Sequence, residues 1–150
     1  MSESLAYLDR AERRRFIVSF GRTAAAVAAV FSLSHAVGLK YAPSAIALGL
    51  GSALFLGLPA ISRRIGEALT GHLVGALVSG LVAFVASLRG DLPLGALLFL
   101  VLVPLIVQYL AGVRAAAAWA GVGITISLVC LWRVETGRAV TIEPLTRADV

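Results

Sequence analysis

Apolar residues in this chain do not alternate with polar ones. They run in five long blocks, roughly 17–38, 43–61, 66–88, 92–111 and 115–132. A helix needs about 20 predominantly apolar residues to cross the hydrocarbon of a bilayer, and the blocks are of about that length. The breaks between them are short. Gly38 to Pro43 closes the first pair of blocks, with Pro43 suited to a helix start. Pro59 to Gly66 carries Arg63 and Arg64 into a second turn, followed by Glu67. Arg89-Gly90-Asp91 with Pro93 makes the third turn, and Gly112-Val113-Arg114 the fourth. Links this short leave no room for a soluble domain and predict antiparallel neighbours. The pattern predicts an all-α integral membrane protein of about five antiparallel transmembrane helices, residues 17–132. A short amphipathic N-terminal helix over 1–16 precedes it, and a polar C-terminal tail, irregular or strand-like, follows over 133–150.

Within lipid, helices associate through small residues and scarce polar groups, so the packing faces are read from those. In the first block Ala25, Ala28, Ala29, Ser32 and His35 share one side, and Val27, Val30 and Phe31 fall elsewhere. The second offers Gly49, Ser52, Ala53, Gly57 and Ala60. The third offers Ala68, His72, Gly75, Ala76, Ser79 and Ala83 at i, i+3/i+4 spacing, with a GxxxG pair at Gly71 and Gly75. So many stripes predict a homo-oligomer, most simply a dimer, or a place in a larger membrane complex.

Composition strengthens this picture. Of the 150 residues, 59% are hydrophobic and 14% charged, well below the roughly 25% charged residues of soluble domains. Lys40 is the one charged residue between Thr23 and Ser62. The net charge of +5 sits in clusters between blocks, which points to membrane orientation and not to nucleic acid. Arg10, Arg13, Arg14, Arg15, Arg22, Arg63, Arg64 and Arg114 fall on one side, eight in all. Lys40, Arg89, Arg133, Arg138 and Arg147 make five on the other, three of them in the acid-containing tail. The N-terminus is therefore expected in the cytoplasm, with the chain multi-pass in a cell (inner) membrane. A re-entrant second block would return the tail to the cytoplasm; five full spans would leave it outside. The run from Phe16 to Val37 exceeds a typical signal-peptide core and reads as an uncleaved first span.

Candidate chemistry is sparse. Glu67 and Asp91 are the only acids between Phe16 and Trp132, and Cys130 is the only cysteine. No phosphate-binding loop, nucleophile–base pair or metal-ligand set occurs, so neither enzymatic activity nor a cofactor is expected. His72 stands out, because a titratable group inside a span is a candidate for function; its structural alternative is one interhelix hydrogen bond. His35 lies near the outer end of its span, where a histidine is easily tolerated. Glu67 is placed to meet Arg63 at i, i+4, and together they could gather anions or anchor the turn to headgroups. Gln108 reads as an interhelix hydrogen-bonding group, Tyr109 as an interfacial anchor and Ser79 as part of the polar face. A polar pathway, if there is one, would use His72, Glu67, Arg63, Gln108 and Ser79.

Three segments together resemble the membrane half of the fusaric acid resistance and aromatic acid exporter family. Arg22-Thr23-Ala24-Ala25-Ala26 is similar to the opening of that family's first span. Leu58-Pro59 followed by Ser62-Arg63-Arg64 is similar to the close of its second, and Gly71-His72-Leu73-Val74-Gly75 occupies the place of its Gly-Thr-x-x-Gly element. The resemblance covers about residues 20–132. His72 stands where the family has threonine, an arginine usual before that element is missing, and only Tyr41 represents the second span's aromatics. Family members also carry a further span and large cytoplasmic domains. The resemblance implies outward, proton-coupled movement of small aromatic or amphipathic acids by an assembly of copies. The other expectation, from the near absence of intramembrane charge, is a non-transporting accessory or scaffold subunit.

Overall fold

The computed structural model describes residues 2–38, 42–89 and 94–136, with the side chains of 9–38, 42–87, 99–133 and 135–136. The tail expected to be irregular lies outside them from residue 137 onward. Five α-helices form: α1 (Ser2–Leu33, prolonged by a π-helical turn over Ser34–Gly38), α2 (Ala42–Ile65), α3 (Glu67–Arg89), α4 (Leu94–Ala111) and α5 (Val113–Glu135). No strand occurs among the described residues. Four stretches, Asp9–Gly38, Ala42–Ile65, Glu67–Ser87 and Val113–Arg133, are long and apolar enough to cross a membrane. The described apolar part of α4, Phe99–Ala111, is shorter. The exposed surface agrees with hydrocarbon as solvent. Val30, Leu33, Ile46, Leu50, Leu56, Val101, Ile124 and Leu128 are each more than 60% exposed, and so much apolar area would aggregate in water.

Two expectations change. The N-terminal segment is no separate amphipathic helix, because Ser2–Leu33 is one uninterrupted helix with no glycine or proline before Gly21 to break it. The second helix does not end at 61, just past Pro59. It runs through that proline to Ile65 as 24 continuous residues, long and apolar enough to cross a membrane. The helix ends instead at Gly66, whose φ of +85° is open to a residue without Cβ. Gly66 N–H donates to Ser62 O (2.9 Å), and α3 begins at the next residue. Gly112, at φ +90°, joins α4 to α5 in the same way, its N–H donating to Gln108 O (3.0 Å).

α1 and α2 are tied along their length. Ser52 Oγ donates to Ala25 O (2.8 Å), and Ser32 Oγ to Ala45 O (2.6 Å). Between hydrocarbon-soluble helices these polar links and close contact supply the attraction, at about 0.6 kcal/mol per hydrogen bond. The face predicted for α1 is the one used. Ala25, Ala28 and His35 are buried, while Val27, Val30 and Phe31 are exposed. The shared core gathers Ile17, Ala25, Phe55, Leu58, Val74 and Leu110, so α1, α2, α3 and α4 all contribute.

Two prolines inside helices help to shape the contacts. Pro59 lacks an N–H, leaving Phe55 O in α2 without its usual i+4 donor, and Pro104 does the same to Leu100 O in α4. A glycine of a neighbouring helix faces each carbonyl. A Cβ built on Gly21 of α1 would lie 2.7 Å from Phe55 O, and one on Gly123 of α5 would lie 3.5 Å from Leu100 O. Glycine lets the neighbouring backbone come close, where Cα–H can partly replace the missing donor.

Candidate functional site

His72 lies early in α3 and Trp119 early in α5, at the end of the bundle that also holds the Gly66 and Gly112 turns. Gly75 follows His72 by three residues, on a neighbouring face of the same helix. The indole of Trp119 rests on it: a Cβ at Gly75 would lie 2.6 Å from Trp119 Cε2 and 2.7 Å from Cδ2. With the ring held there, Trp119 Nε1–H donates to His72 Nδ1 at 3.1 Å. Accepting that bond requires Nδ1 to be unprotonated, so the imidazole is the neutral tautomer with its proton on Nε2. His72 itself is exposed on the outside of the bundle. The pair is a tether between α3 and α5.

Within one chain the face that α3 buries differs from its small-residue stripe. Gly75 and Ser79 are buried, but Ala68, His72 and Ala76 point outward, and Thr70, Gly71, Val74, Val82 and Ala86 are buried in addition. The buried arc is rotated by about a quarter turn from the small-residue stripe. In α2 the predicted stripe is likewise half right. Gly49, Ser52 and Gly57 are partly buried, Ala53 and Ala60 are exposed, and Ser44, Ala45, Gly51, Phe55 and Leu58 form the buried side.

The other predicted polar residues do not converge on His72. Arg63 and Arg64 are exposed on α2, and Glu67 is half-buried on α3 beyond the Gly66 break. That break takes them out of common helical register, so the i, i+4 pairing does not form. Among the described residues the one ion pair is Arg13–Asp9 at 3.1 Å. Gln108 is exposed, and its side chain makes no hydrogen bond among the described residues. Ser79 is buried at 3% exposure, its Oγ without a partner among them. His35, near the end of its span, is also buried. Its Nδ1 lies 2.8 Å from Phe31 O, consistent with an N–H donating to that carbonyl. Thr70 Oγ1 returns to Gly66 O (2.6 Å), closing the first turn of α3.

Two arrangements are absent from the sequence reading. Tyr109, expected as a headgroup anchor, packs its ring on Phe16 (centroids 4.9 Å apart) beneath the Arg13 guanidinium (6.0 Å), joining α4 to α1. The nearest signal is an aromatic close to a cluster of arginines, but its partner lies more than 90 residues away along the chain. The second is a shallow, open groove on the outer side of α1, lined by Arg14, Arg15, Val18, Ser19, Arg22 and Thr23, all from that one helix.

No known protein family, curated protein or solved structure matches the chain. The reading of function therefore rests on the side chains themselves.

Proposed function

We propose that the chain is a membrane subunit of five antiparallel spans, its arginine-rich end in the cytoplasm, that acts by side-to-side association in the plane of a cell membrane. The observation that carries this reading is the Trp119–His72 bond. The residue best suited to move a proton is instead occupied in fastening α5 to α3, and the polar residues expected to extend a pathway from it are dispersed. Such a subunit would assemble with copies of itself or within a larger membrane complex, as an accessory or scaffold.

The exporter reading suggested by the fusaric acid resistance resemblance keeps one specific support. His72 faces outward beside Ala68 and Ala76, so copies packed on that side would bring histidines to a shared seam. One experiment separates the two. His72→Gln keeps hydrogen-bonding capacity and rough size but removes titration. In proteoliposomes with an imposed pH gradient, the scaffold reading expects no gradient-driven efflux of aromatic acids from wild type, and an assembly of unchanged mass for wild type and variant. Efflux by wild type that His72→Gln abolishes would overturn the scaffold reading in favour of the exporter. A monomeric mass in nanodiscs, with no co-purifying partner, would defeat both.

A further inference from the structure

The shallow groove on α1 gathers three arginines along one helix, and a role for it goes beyond the association reading. Arg15, Ser19 and Arg22 stand at i, i+4 and i+7, on one side of the helix, with Arg14, Val18 and Thr23 on either flank. Arg14, Arg15, Ser19, Arg22 and Thr23 are all exposed. The opposite side of α1 is taken up by α2, through Gly21 and Ala25. Arg13 is satisfied by Asp9 and Tyr109, whereas Arg14, Arg15 and Arg22 have no ion pair among the described residues. Glu12, one turn before Arg15, is exposed and bonded to none of them.

Arg22 is the informative member. It lies seven residues beyond Arg15, about 10 Å further along the helix, and past Phe16, where the apolar run begins. An arginine at that depth, facing lipid, needs a counter-charge or a route back to the interface. Helical side chains lean toward the N-terminus, which for α1 is the membrane surface. On α1 that lean would carry the Arg22 guanidinium toward Ser19 and Arg15. Two guanidiniums and a hydroxyl would then share one open surface near the start of the apolar run. A guanidinium fork matches the oxygens of a phosphodiester, and Ser19 adds a neutral donor.

We propose that Arg15, Ser19 and Arg22 hold the phosphate of an anionic phospholipid in the leaflet next to the chain's arginine-rich end. The headgroup sits in the groove, and the acyl chains run along the exposed side of α1 past Val30 and Leu33. Delipidated full-length chain in mild detergent would be titrated with phosphatidylglycerol, and bound lipid counted by native mass spectrometry. One tightly held lipid is expected. Arg22→Gln should weaken it at least tenfold more than Arg114→Gln, which removes the same charge at the same end of the bundle. Diffuse attraction predicts only about a fivefold loss for either arginine, so equal losses would overturn the site. Arg22→Lys, which keeps the charge without the fork, should fall between. Inorganic phosphate that binds as tightly as the lipid would reassign the groove to a soluble anion. Ser19→Cys in a Cys130→Ala background that forms a disulfide with a second copy in membranes would reassign it to a protein interface. Should Arg22→Gln fail to fold, Ser19→Ala decides. A loss of about tenfold or more is expected from one hydrogen bond to a charged group, and an unchanged affinity would overturn the proposal.

Discussion

Replacing Gly21 with alanine tests whether the α1–α2 contact is as close as it looks. The new methyl would lie 2.7 Å from Phe55 O and 3.7 Å from Leu58 Cβ. The nearer atom is backbone, so relief requires the helices to separate. Overpacking of this kind costs about 1–3 kcal/mol. Losing the Cα–H to carbonyl approach adds about 0.5–1 kcal/mol. Alanine returns at most about 0.5–1 kcal/mol of helix preference, and less where the unfolded state keeps its helices in detergent. The net expectation is a loss of about 2 kcal/mol. Gly123→Ala is the internal control, since its methyl would meet Leu100 O at 3.5 Å, an ordinary contact. Gly80→Ala, with nothing within 4 Å, is the open-surface control. Both should be neutral or slightly stabilising. Unfolding by sodium dodecyl sulfate in mixed micelles, followed by near-ultraviolet circular dichroism, reads the difference. A Gly21→Ala midpoint equal to that of Gly123→Ala would refute the close approach, and with it the explanation of how Pro59 is tolerated inside α2.

Three other outcomes follow from the same contacts. Trp119→Phe keeps a ring over Gly75 but removes the donor to His72, and should cost about 0.6–1.7 kcal/mol in the same assay; no loss would mean the bond carries no weight. Tyr109→Leu removes the ring pair with Phe16 and the Arg13 contact, and should destabilise by about 1–2 kcal/mol, with hydrogen exchange rising first in residues 9–20 of α1. Arg63→Cys in a Cys130→Ala background should resist an impermeant thiol reagent applied outside intact cells, and efficient labelling would reverse the orientation.

The helices were legible because hydrocarbon imposes a length and glycine, proline and arginine punctuate it. The face of α1 was legible too, since its alanines lie on one side and its valines and Phe31 on the other. The faces of α2 and α3 were read only in part. In lipid, leucine and valine are equally at home outward or inward, so hydropathy carries little contrast between the two sides, and small residues occur on both. Ala68 and Ala76 face out while Leu58 and Val74 are among the most buried side chains. Pro59 marks the approach of a turn because its lost hydrogen bond is visible in sequence, whereas Gly21, which accommodates the loss, lies 38 positions earlier. For the candidate site, His72 could be singled out but its partner could not, because Trp119 is 47 residues away and only the three-dimensional fold brings it to Gly75.

The single-residue turns at Gly66 and Gly112 also bear on how the protein meets bilayers of different thickness. α4 has 18 residues and α5 has 23, about 27 Å and 35 Å of helix, against a hydrocarbon layer near 30 Å. With one residue between them, neither helix can slide along the other to suit its own length. The longer must tilt or protrude, and α2 and α3 are coupled in the same way. Thickening the membrane would stretch the match for α4 first, while thinning it would push α5 out or lean it over. The pairs should therefore respond as rigid units, favouring the membrane whose thickness suits the shorter helix of each.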